Sequence, residues 1–194
     1  MNKFSNANLL AYEYLRIGRL RDRLFHKFIV FSNTYLTIEL PRVVYHRADS
    51  FCHDVYRKSG WDFQMNDLMQ LRLTDFVSNV QKYSDPKDLH DRLTAINYSK
   101  KFYVKGKEES SFPVMAGYYQ DDCIELKNLK FDSDDVLRSE YALMDMECVF
   151  PHHEMTVEKV ISSLICDFVR QIQTNGRGVL EDVIQSLEKE WVDK

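Results

Sequence analysis

Glycine and proline are scarce in this chain, with 6 Gly and 4 Pro in 194 residues, roughly half the usual share of each. Few breakers remain to make turns, so helix should dominate. Cysteine is sparse as well. Cys52, Cys123, Cys148 and Cys166 include no Cys-x-x-Cys pair, which speaks against a disulfide framework or a zinc knuckle and fits reduced thiols in the cytoplasm. Long apolar runs are missing too. The longest uncharged stretches, Phe28 to Ile38 and Ser110 to Gln120, are 11 residues each, short of the roughly 20 that span a bilayer. No membrane contact is expected, and Glu13 and Arg16 interrupt the start before any apolar signal region. There is no glycine-rich phosphate loop, because Gly176 and Gly178 follow no strand and precede no Lys-Ser/Thr pair. A calcium loop around Asp132, Asp134 and Asp135 lacks its central glycine and terminal glutamate.

What is present is an ordinary globular balance: 44% hydrophobic, 29% charged and 13% aromatic residues. It predicts a single α+β domain over residues 1–194 with a real core. The net charge of −4 is unevenly spread. Residues 1–60 hold 10 Lys/Arg against 5 Asp/Glu, residues 61–110 hold 8 of each, and residues 111–194 hold 8 against 17. A basic contact surface at one end and an acidic one at the other is the implied arrangement.

Periodicity places the elements, about six to seven helices in all. Ser5 caps a helix over about Asn6 to Lys27, with Leu10, Tyr14, Ile17, Leu20, Leu24 and Phe28 inward. Thr34–Leu40 and Arg42–Arg47 read as a short N-terminal strand pair broken at Pro41. Asp49 or Ser50 opens a helix that ends at Arg57, Lys58 and the left-handed stop Gly60. Further helices are expected over about Gln64 to Tyr83 and, with Asp85 as cap, from Pro86. A small antiparallel meander comes next over about residues 101–131, its strands at Phe102–Val104, Phe112–Tyr119 and Cys123–Phe131. Ser133 caps the next helix, and two antiparallel helices, Thr156–Gln173 and one carrying Leu180 to Trp191, close the chain.

Three constellations could carry function. Tyr12, Arg16, Arg19, Arg23 and Lys27 line one helix flank, a cationic docking face for carboxylate or phosphate groups. On the third meander strand, Glu125 and Lys127 point to one face with Asp122 just before them, so a carboxylate for a divalent metal stands beside a cation. Over seven residues this resembles the Asp…Glu-x-Lys core of the restriction-endonuclease-like superfamily, which implies a metal-dependent nuclease. The ordinary reading of such a pattern is a solvated, charged strand face. Cys52-His53-Asp54 and Cys148 with His152-His153-Glu154 bring zinc-ligating residue types together. Their spacing is not that of a finger, and the second group reads as a surface loop.

The expectation is a non-enzymatic cytoplasmic interaction or regulatory protein, with no metal and no cofactor. It would bind a protein partner through the basic N-terminal helix face and the acidic C-terminal half. RNA or DNA binding through the same arginines is the alternative, and the nuclease reading stands third.

Overall fold

The computed structural model describes residues 4–16, 33–80, 86–95 and 122–192. Among them are six helices and two strands: α1 (Leu9–Arg16), β1 (Asn33–Pro41), α2 (Arg42–Ser59), α3 (Met65–Val80), α4 (Pro86–Ala95), β2 (Cys123–Asp132), α5 (Ser133–Val149) and α6 (Val157–Val192). The fold is helix-dominated α+β, as the composition implies. No helix among the described residues is long and apolar enough to cross a membrane.

β1 and β2 form a two-stranded antiparallel sheet that joins segments some 90 positions apart in sequence, from Asn33 opposite Asp132 to Pro41 opposite Cys123. Thr34, Leu36, Ile38 and Leu40 alternate inward on β1. On β2 the apolar residues sit at Ile124 and Leu126, then at Leu129 and Phe131, so the parity changes midway. A register shift between Leu36 and Ile38 resolves the conflict, leaving Thr37 opposite both Lys127 and Asn128. Asn128 takes a left-handed backbone (φ 57°) to form this bulge, a conformation asparagine tolerates better than most residues. Without the extra residue, Leu129 and Phe131 would face water.

Both outer edges of so small a sheet need cover. Asn66 of α3 pairs with the Lys130 backbone in both directions, at 3.0 and 2.8 Å, and Gln70 accepts from the Asp132 N–H at 2.9 Å. On β1, the Ser162 hydroxyl of α6 donates to the Glu39 carbonyl. The apolar face packs on α6, whose Val160, Ile161, Ile165 and Phe168 are buried, and α2, α3 and α5 complete one core. Phe51 meets Phe168 edge to face at 4.9 Å, while the Arg72 guanidinium lies 5.1 Å over the Phe168 ring.

Several boundaries depart from the sequence reading. Arg42–Arg47 is not a strand but the opening of α2, which therefore starts well before Asp49. Val44, Ala48, Phe51, Cys52 and Val55 make its buried stripe, and β2 begins opposite Pro41, so among the described residues no strand lies opposite residues 42–47. Gly60 ends α2 at φ 77° with its N–H on the Tyr56 carbonyl, as expected. α1 starts at Leu9 rather than Asn6, and Tyr14, expected inside, is half exposed. The cap of α5 is Asp132, whose carboxylate accepts the Asp134 N–H at 2.7 Å. Ser133 is instead buried in a hydroxyl pair with Thr34 at 2.7 Å. The two expected meander strands before residue 120 lie outside the described residues, and β2 pairs with β1.

The two expected C-terminal helices are both present, joined directly at a kink at Asn175 (φ −149°, ψ 59°) rather than by a loop. The expected break is there, one residue early. Asn175 caps the second half of the element, its side-chain carbonyl accepting from the Gly178 N–H at 3.4 Å. A Cβ on Gly178 would come within 2.4 Å of the Asn175 side chain, so glycine leaves room for this cap.

Candidate functional site

Of the basic flank, Tyr12 stands exposed on α1 and Arg16 is that helix's last residue. Arg19, Arg23 and Lys27 lie outside the described residues. The strand constellation is described in full. Asp122 is held by Arg42 through two hydrogen bonds, at 2.6 and 2.8 Å, and the Arg42 N–H reaches the Asp122 carbonyl at 3.0 Å. The guanidinium keeps the Asp122 carboxyl below its ordinary range. Glu125 and Lys127 share the exposed face of β2 and pair with each other at 3.0 Å. Among the described residues, no three His, Cys, Asp or Glu side chains gather where they could hold a metal ion.

The segment of His152, His153 and Glu154 is a loop exposed at His152 and Glu154, as expected, but the His153 side chain turns inward and is only 3% exposed. Nε2 donates to the Leu143 carbonyl at 2.9 Å and Nδ1 accepts from the Met155 N–H at 3.2 Å, while the ring stacks on Phe4. Around it the N-terminal segment is clasped by carboxylates of the C-terminal third. Fully buried Glu140 accepts from the Ser5 hydroxyl, from the Leu9 N–H at 3.1 Å and from the Leu10 N–H at 2.6 Å. It thus supplies from α5 the acceptors that α1, with no acid in its own first turn, lacks. Burial pushes the Glu140 carboxyl up, against the pull of those donors. Glu158 accepts from the Asn6 N–H at 2.7 Å, and the Val157 N–H donates to the Phe4 carbonyl.

A second gathering of carboxylates faces outward. A cleft of about 1200 Å³ lies where the first turns of α3, the end of β2, the start of α5 and Leu187 of α6 converge. Among the described residues, Asp62, Asp67, Asp132, Asp134 and Asp135 line it beside a single cation, Lys130, with Trp61 and Phe63 among the apolar walls. Each of the central carboxylates has a local reason to be there. Asp67 accepts the Gln64 N–H at 2.8 Å to cap α3, Asp132 caps α5, and Asp135 accepts from Thr74 and Gln70 at 2.6 and 2.8 Å. Most of these donors are neutral. They satisfy oxygen lone pairs without cancelling charge, and among the described residues Asp134 alone of the five has an ion-pair partner, Arg138 at 2.7 Å. Half-burial, together with Asp132 and Asp134, holds the Asp135 carboxyl above its ordinary value.

Capping accounts for Asp132, Asp134 and Asp135 from the sequence alone, but nothing in the periodicity singles out Trp61, Asp62, Phe63 and Asp67. Their local signal is an aromatic-acid-aromatic tripeptide directly after the Gly60 stop. Its meeting with the start of α5 is tertiary. Compared with known proteins, the chain matches no family model, no curated protein and no solved structure.

Proposed function

We propose that the chain is a non-enzymatic interaction protein that receives a cationic segment of a partner protein in the acidic cleft. The carrying observation is the convergence of five aspartates and two aromatic residues on one cavity of about 1200 Å³. The helix dipole at the start of α5 offsets only about half a unit charge, so a net negative field remains in a concave, partly apolar site. Fields of that kind steer and orient oppositely charged partners. Trp61, partly exposed beside the buried Phe63, offers the apolar and cation–π contacts that hold Lys or Arg stems once steered. The carboxylates sit on a sheet end and two helix starts, which fixes their positions before binding. The basic flank of residues 12–27 would be a second contact face in the same reading. All four cysteines are free thiols, in keeping with work in the cytoplasm.

Nucleic acid would be repelled by this cleft and would have to meet Arg16, Arg19, Arg23 and Lys27. The test measures fluorescence anisotropy of labelled peptides: one rich in Lys and Arg around a single apolar anchor, and its Glu-substituted counterpart. The wild type should prefer the cationic peptide and lose affinity as salt rises. Asp62→Asn/Asp67→Asn/Asp132→Asn keeps every cap acceptor while removing three charges, and should weaken binding by about tenfold. Equal affinity of the two proteins for the cationic peptide would sink the proposal.

A further inference from the structure

α2 and α6 lie side by side and leave a groove of about 440 Å³ between them, close to the Asn175 bend. Its sign is opposite to that of the cleft. Phe51, Ile172 and Leu180 give it an apolar floor, and Arg47, Lys58 and Arg177 stand along it with, among the described residues, one carboxylate, Asp54. Lys58 also reaches Glu181 at 3.3 Å. Among the described residues, neither Arg47 nor Arg177 has a carboxylate within ion-pair distance. Two guanidinium groups thus flank an apolar strip on a chain whose net charge is −4.

Gly176 sits in the middle of the groove. Its φ is not positive, and a Cβ there would meet only Ile172 Cγ2, at an ordinary 3.6 Å. Neither backbone nor packing demands glycine, and glycine costs a helix stability relative to alanine. What its bare backbone does is keep the groove open at mid-length. From Arg47 to Lys58 the wall runs three turns, about 16 Å at the helical rise. That length suits a partner helix presenting apolar residues at i, i+3 or i+4, and i+7.

We infer that this groove docks an acidic amphipathic helix of a partner protein, its apolar stripe on Phe51, Ile172 and Leu180 and its carboxylates on Arg47 and Arg177. The groove acts independently of the acidic cleft, whose ligand carries the opposite charge.

A displayed library of helical peptides of about 14 residues, four turns, is selected on the full-length protein. The binders are then measured on three variants: Arg47→Glu/Arg177→Glu, Gly176→Trp, and the triple Asp→Asn variant of the cleft. Enriched peptides should be acidic with a single apolar stripe. They should lose about tenfold or more on the charge-reversed protein, a similar amount on Gly176→Trp, where the added indole fills the groove, and nothing on the cleft variant. Circular dichroism and retained binding of the cationic peptide certify the fold of the two groove variants. Absence of any enriched helix, enrichment of basic or neutral ones, or binders indifferent to both groove variants would overturn the inference. So would RNA or phospholipid vesicles that bind in an Arg47- and Arg177-dependent way while no acidic helix does. If the acidic helix binds while the cationic peptide does not, the cleft reading falls alone, and circular dichroism then certifies the folds by itself.

Discussion

Two sets of carboxylates, drawn mostly from the acidic end of the chain, are used in opposite ways. Glu140 and Glu158 turn inward and commit their oxygens to N–H and O–H groups of the N-terminal segment. The aspartates of the cleft line a cavity, and apart from Asp134, which pairs with Arg138, neutral donors satisfy Asp67, Asp132 and Asp135 without neutralising them. The uneven charge of the sequence therefore does not resolve into one acidic surface. Part of it is an internal fastening for α1, and part remains as field at a cavity. A buried carboxylate is tolerated only where it answers donors that would otherwise be orphaned. An exposed one can serve a partner, because water has already solvated it.

The sharpest way to break this contrast is to delete the inward member. Glu140→Ala leaves the Ser5 hydroxyl and the Leu9 and Leu10 amides without acceptors in a dry site, and should cost about 3 kcal/mol or more of unfolding free energy. Urea denaturation followed by circular dichroism reads it directly. A loss below about 1 kcal/mol would mean that α1 is held by Phe4 and Leu10 packing alone.

Glu140→Gln is milder, and its pH dependence tests the balance inside the clasp. Burial raises the Glu140 carboxyl in the fold above its unfolded value, so the folded protein binds the proton more tightly. The associated stability is fully present below the ordinary glutamate range and is lost as pH rises through the raised value. Asp75 and Asp135, also raised by burial, have the same sign but are common to both proteins. The advantage of wild type over Glu140→Gln should therefore shrink as pH climbs from acid toward neutrality. A growing advantage would show that the three donors outweigh burial and favour the anion.

How much of this was readable depends on how local the cause is. The Gly60 stop, the Pro86 start and the stripes of α3 and α6 follow from neighbours three or four apart, and the sequence carries them openly. Arg42–Arg47 reads as a strand because valine and tyrosine suit one, yet a strand needs a partner and, among the described residues, the partner ends at Cys123. The bulge at Asn128 had a visible sign in the shift from Ile124 and Leu126 to Leu129 and Phe131. Glu140 also had one: it follows Val136 by four and precedes Leu143 by three, a carboxylate in an apolar stripe. What no local pattern reveals is the meeting of Trp61 and Phe63 with Asp132 and Asp135, or of Arg47 with Arg177. Those depend on which helices pack side by side.

The smallest effects are expected from the outward charges, and they separate capping from field. Asp132→Ala removes the α5 cap and should cost about 1 kcal/mol, whereas Asp132→Asn keeps an acceptor and should stay within about 0.5 kcal/mol of wild type. Both should weaken the cationic peptide alike, because each removes the same charge from the cleft. Thermal melting and anisotropy on the same two proteins therefore give a stability difference with no affinity difference. Should the asparagine variant bind like wild type, the acceptor rather than the charge is what the peptide meets. Glu125→Gln on β2 supplies the blank, since its carboxylate pairs with Lys127 on an exposed face away from the cleft lining. It should leave melting and peptide affinity where they are. A magnesium- or manganese-dependent cleavage of DNA or RNA that disappears in that variant would instead give β2 a catalytic role and displace binding as the function of the chain.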